Sequence, residues 1–135
     1  MGLVKAVLIL SGLVFLGFGI AFLADPEGLA KMAGLRFAQP RASAEIRAMY
    51  GGLQVGLGLF FLVASHRTRW IRAALAVQAL TLFGLAGGRL IGMIHLPGFD
   101  GLMTLFFTIE VLGGIVGLIT FRHAKEVLLG NHRSS

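Results

Sequence analysis

The segment "AEIRAMYGGLQVGLGLFFL", residues 44–62, begins with the charges of a soluble helix and ends as a membrane span. Its first half carries Glu45, Arg47 and Tyr50, and Gln54 follows within a run of Gly, Leu, Val and Phe. Lipid offers a guanidinium or an amide no partner, so such groups turn inward and pair. The segment therefore reads as the inner wall of a helical bundle.

The rest of the chain supplies the other walls. Of its 135 residues 56% are hydrophobic and only 13% charged, whereas a soluble domain carries about 25% charged residues. The mean hydropathy is +0.86. Four apolar stretches stand out, at 3–24, 44–64, 70–94 and 101–121. A hydrocarbon core about 30 Å thick is crossed by about 20 residues of helix, and each stretch is long enough. The expectation is an all-α, four-transmembrane-helix bundle forming one integral membrane domain over residues 1–135. The first stretch exceeds the roughly 7–15 apolar residues of a cleavable signal, and no small-x-small site follows it, so it reads as a span.

Charge placement excludes nucleic acid as a partner despite the net charge of +6. The basic residues sit at span ends: Lys5 near the first, Arg67, Arg69 and Arg72 after the second, and Arg122, Lys125 and Arg133 after the fourth. Such clusters mark the cytoplasmic side, giving an N-in, C-in orientation. Lys31, Arg36 and Arg41 in the first loop oppose this, offset in part by Asp25 and Glu27. With no cysteine in the chain, disulfide relays and thiolate metal sites are excluded.

In "DPEGLAKMAG", residues 25–34, Asp25 can cap a helix, Pro26 suits its first position and Gly34 can end it. The expected product is a short amphipathic helix on the outer surface, a lid over the bundle. Asp100 is placed to cap the fourth span. Gly52 with Gly56, the ladder Gly84–Gly88–Gly92, and Gly113 with Gly117 have the small-xxx-small spacing that lets membrane helices approach closely. Packing within one bundle and contact within an oligomer both use it.

Depth and facing bring the polar residues together. At 1.5 Å per residue, Arg47 lies about 6 Å and Gln54 about 16 Å inside the outer surface, and Glu110 about 15 Å below Asp100. Arg89 falls in the outer third of the third span. On an ideal helix Arg47, Tyr50 and Gln54 share one stripe, and Gln78 and Arg89 another. The expected cluster is Arg47, Tyr50, Gln54, Arg89 and Glu110, with Gln78 deeper. Structural roles compete with functional ones here. Glu45 suits the first turn of its helix, Arg47 could snorkel to the surface, and Arg89 with Glu110 could be a pair that fixes helix register. The four histidines show no metal-ligand spacing, and no cofactor is implied.

"FLADPEGL", "AEIRAMYGGLQVGLGLFFL", "GRLIG" and "DGLMTLFFTIEVLGGIVGL" together resemble a domain-of-unknown-function family of small bacterial four-helix membrane proteins, loosely DoxX-like. The resemblance covers almost the whole chain. It implies a compact inner-membrane bundle with shared motifs at Arg47, Tyr50, Gly51, Gly52, Arg89 and Glu110, and it implies no activity. Three functions fit the residues. The leading one is a non-enzymatic protein holding a membrane lipid or small amphipathic ligand. The second is an accessory subunit of a larger membrane complex, and the third is a lipid-modifying enzyme with Glu110 as acid or base.

Overall fold

The structure, a computed structural model, describes residues 1–39, 41–95 and 101–130, with side chains through Ala124 in the last stretch. Asp100, the expected cap of the fourth span, lies outside these residues, as do His132 and Arg133 and the side chain of Lys125.

The first span is α1 (Gly2–Ala24), and it stops where proline forbids continuation. The residue before a proline is pushed out of the α region, and Asp25 has φ −133° and ψ 75°. Asp25 then begins the next helix, its Oδ1 accepting the Gly28 N–H at 2.9 Å. The short helix α2 (Pro26–Met32) follows, with Pro26 at its start. It ends in a Schellman motif: Gly34 has φ 78°, its N–H donates to the Lys31 carbonyl, and the Leu35 N–H donates to that of Ala30. The expected short helix and its caps are present. Its buried residues are Pro26 and Ala30, which seat it against the neighbouring span ends.

The second span runs over Arg41–Ser65 and is not uniform. It consists of α3 (Arg41–Ile46), a π-helical segment (Arg47–Gly52) and α4 (Leu53–Ser65). In the π segment the Leu53 N–H reaches the Ala48 carbonyl, five residues back. A two-residue turn at His66 and Arg67 leads into α5 (Thr68–His95), and the fourth span lies in α6 (Gly101–Gly130). Four helices are thus long and apolar enough to cross a membrane, and the protein is an all-α, multi-pass membrane bundle.

Packing divides the bundle into two pairs, α1 with α4 and α5 with α6, joined chiefly along α4 and α5. The close-packed core lies toward the Arg67 end. There Val4, Leu8, Phe61, Ile71, Ala74, Leu75 and Ala124 are fully buried, and Phe15 meets Phe61 edge to face at 5.4 Å. The α2 end is looser, and it holds the polar residues.

The α1–α4 contact is made by glycines seven residues apart. A Cβ added at Gly58 would lie 2.6 Å from the Leu16 backbone nitrogen and 2.8 Å from the Gly12 carbonyl oxygen. One added at Gly19 would lie 2.7 Å from the Val55 nitrogen and 2.8 Å from the Gly51 oxygen. The four-residue spacings behave differently. Gly113 and Gly117 face α5 at Leu82 and Ala79, but a Cβ at Gly56, Gly84, Gly88 or Gly92 would meet nothing within 4 Å. The ladder on the third span therefore points away from its own bundle.

Candidate functional site

Arg89 on α5 and Glu110 on α6 form an ion pair. The Arg89 Nε donates to both carboxylate oxygens of Glu110, each at 2.9 Å. The Glu110 side chain is 9% exposed and that of Arg89 31%. The flat face of the guanidinium lies over Phe106, 5.1 Å from the ring centroid. This geometry differs from the usual fork in which two nitrogens engage two oxygens. One N–H is shared by both oxygens, and the terminal amino groups of Arg89 have no other hydrogen bond among the described residues.

Beside the pair lies a cavity of about 230 Å³, bounded by all four spans. Tyr50 and Gln54 line it from the second span, Leu82, Leu85 and Arg89 from α5, and Phe106, Ile109 and Glu110 from α6. Val14, Phe15 and Phe18 complete it from α1. Tyr50 stacks obliquely on Phe22 at 5.3 Å, and Phe18 meets Phe106 edge to face at 6.4 Å. Neither Tyr50 nor Gln54 hydrogen-bonds another described residue. Val14 and Phe18 on α1 and Ile109 on α6 are exposed, and α1 and α6 touch only sparsely. The cavity therefore opens sideways, between α1 and α6, toward the space that lipid occupies.

Four of the five expected cluster residues, Tyr50, Gln54, Arg89 and Glu110, surround this cavity. Arg47 does not. Its Nε donates to the Leu23 carbonyl at 3.2 Å and its Nη1 to the Ser43 hydroxyl at 3.0 Å. It is a cap on the free carbonyls at the end of α1. The π segment explains the departure. A stripe drawn at 100° per residue assumes an unbroken α-helix, whereas an i→i+5 turn adds backbone between Arg47 and Gln54 and turns them apart. Gln78 is deeper, as expected, and 2% exposed. Its Oε1 finds no hydrogen-bond partner among the described residues. No α2 residue lines the cavity.

Composition did not single out the apolar lining. Leu82 and Leu85 lie between Gln78 and Arg89 at helical spacing, and that stripe was legible. The pairing of Phe18 with Phe106 joins helices far apart in sequence and was not. Among the described residues, no three His, Asp or Glu side chains come together where they could hold a metal.

The profile of a family described as "Domain of unknown function (DUF4345)" matches residues 3–121. The chain belongs to that family. The match to DUF4345 takes in all four apolar stretches and every cavity-lining residue. No curated protein and no solved structure matches the chain.

Proposed function

We propose that this DUF4345 protein holds a small amphipathic molecule, its head group in the cavity and its tail in the bilayer. The observation that carries this reading is a set of uncommitted polar groups around a cavity open to lipid. The Arg89 amino groups, the Tyr50 hydroxyl and the Gln54 amide are without hydrogen-bond partners among the described residues and share one wall system. Pockets that enclose a whole drug-sized ligand measure about 300–1,000 Å³, and this one is smaller, at about 230 Å³. It suits a head group alone. The gap between α1 and α6 gives the tail a way out among Val14, Phe18 and Ile109.

A catalytic reading is weaker. Both Glu110 oxygens accept from Arg89, and the other titratable side chain on the cavity is Tyr50. General acid–base chemistry needs a group free to exchange its proton with substrate. The accessory-subunit reading draws support from the outward glycines of α5, which leave a face bare enough for another helix.

The test is mass spectrometry of protein purified from native membranes in mild detergent. The expected result is a reproducible small molecule on the parent that is lost from Gln54→Leu with melting unchanged. A stoichiometric protein and no small molecule would favour the accessory subunit. The membrane belongs to the same proposal: a bacterial inner membrane with both termini cytoplasmic, kin to DoxX-like bundles. A reporter inserted at the His66–Arg67 turn should read cytoplasmic, and a periplasmic reading reverses the orientation.

A further inference from the structure

Taking as given that the cavity holds an amphiphile, we infer that it selects an uncharged head group with a hydrogen-bond-accepting carbonyl and rejects carboxylate, sulfonate and phosphate. The inference follows from how the one guanidinium in the cavity is used. Its Nε edge is taken by Glu110, and its face is covered by Phe106. Only the terminal amino edge is left, which offers N–H donors in a plane. The positive charge behind those donors is already balanced by the carboxylate 2.9 Å away.

Arg89 and Glu110 are the charged side chains on the cavity wall, one of each sign. Arg47, the cation of the second span nearest in sequence to Tyr50, is engaged at Leu23 and Ser43. An anionic head group would therefore bring an unbalanced negative charge into a lipid-embedded site beside the Glu110 carboxylate. A ketone or ester carbonyl brings two lone pairs and no charge. It accepts from the Arg89 amino edge and leaves the ion pair intact. Tyr50 and Gln54 add neutral donors, and Phe15, Phe18 and Phe106 present rings to the apolar part of the head group. The site reads dipoles, not charge.

Two amphiphiles of matched chain separate the possibilities: the methyl ester of myristic acid, and sodium tetradecyl sulfonate. Each is titrated into the protein in nanodiscs of phosphatidylcholine. Saturable retention is read by native mass spectrometry against the double variant Arg89→Leu, Glu110→Leu as the zero. The parent should retain the ester at least about tenfold better than the sulfonate, since the anion alone carries the uncompensated charge. Glu110→Gln leaves Arg89 unbalanced and should reverse that order, an inversion that loss of packing cannot produce. If Glu110→Gln fails to purify, the preference of the parent decides alone. Equal or better retention of the sulfonate by the parent overturns the inference while leaving an amphiphile site in place. Retention of neither above the double variant overturns the inference together with the reading on which it rests.

Discussion

The first and second spans meet through bare backbone, whereas the third and fourth meet through side chains. Across the first contact an added carbon at Gly19 or Gly58 would strike main-chain atoms first, and one at Gly12 or Gly51 the side chain of Leu62 or Leu23. Across the second, Gly113, Gly114 and Gly117 receive Leu82, Phe83 and Ala79, and the Arg89–Glu110 pair closes the α2 end. Lipid-solvated helices gain little from the hydrophobic effect when they associate, so close van der Waals contact and polar pairing remain. Each pair of spans relies chiefly on one of the two. The cavity lies where the two pairs face each other, with the Arg89–Glu110 pair on its wall.

The largest effect is expected at Gly58. Overpacking a core costs about 1–3 kcal/mol when neighbouring side chains can shift, but here the added carbon meets the Leu16 nitrogen and the Gly12 oxygen. Gly58→Leu should lose at least about 3 kcal/mol or fail to assemble, read as melting in detergent. Parent-like melting would mean that α1 and α4 are not in backbone contact, and the contrast between the pairs would disappear.

Next comes the ion pair. Breaking a buried pair from one side costs about 3–5 kcal/mol, whereas replacing both members by apolar groups can be nearly neutral. Glu110→Gln should therefore destabilise strongly, and the double variant Glu110→Leu, Arg89→Leu should regain most of the loss. Melting of the two singles and the double completes the cycle. Additive losses would show that the residues stand close without holding the third and fourth spans together.

These two sites also show what the sequence could and could not reveal. The spans were legible because lipid imposes a length and a composition on each segment separately. The Asp25–Pro26 cap was legible because its signals are local. Arg89 and Glu110 were legible because isolated charges in apolar spans must meet, and depth counting put them at one level. Arg47 stands apart from the cavity, a placement the sequence hid because nothing in "RAMYGG" announces a π turn, and one such turn shifts the phase of everything before it. The glycines were legible in part, since Gly113 and Gly117 do face α5. A four-residue spacing drew attention to Gly84, Gly88 and Gly92, which pack on nothing in the bundle, while the seven-residue spacing of Gly12 with Gly19 and Gly51 with Gly58 makes the contact. Seven residues are two helical turns, the repeat of gently crossed antiparallel helices.

A smaller effect is expected where Arg47 ties the second span to the end of α1. Arg47→Leu removes the charged donor to the Leu23 carbonyl, a bond worth about 1 kcal/mol at an exposed site where water can substitute. Melting should fall slightly, and amide hydrogen exchange should quicken around Asp25, whose N–H ends α1 on the Ala21 carbonyl. Binding in the cavity should be unchanged. A loss of ligand in this variant would return Arg47 to the site from which its geometry removes it.

The smallest effect belongs to Gly88, and its sign is informative. A side chain there meets nothing within 4 Å, so steric cost within the bundle is absent. Leucine is favoured over glycine in a helix interior by nearly 1 kcal/mol, and a lipid-facing leucine is itself favourable on insertion scales. Gly88→Leu should therefore melt within about 0.5 kcal/mol of the parent, or slightly above it, although its four-residue spacing marks it as a packing glycine as plainly as that of Gly117. The experiment compares melting of the isolated chain with its mass in mild detergent. Unchanged melting with unchanged mass leaves α5 facing lipid and confines the close contacts to the α1–α4 and α5–α6 seams. Unchanged melting with a lower mass places a second helix on the glycine face without altering the bundle. A marked fall in melting of a chain already monomeric would mean that Gly88 packs inside, and the division into two differently built pairs would have to be redrawn.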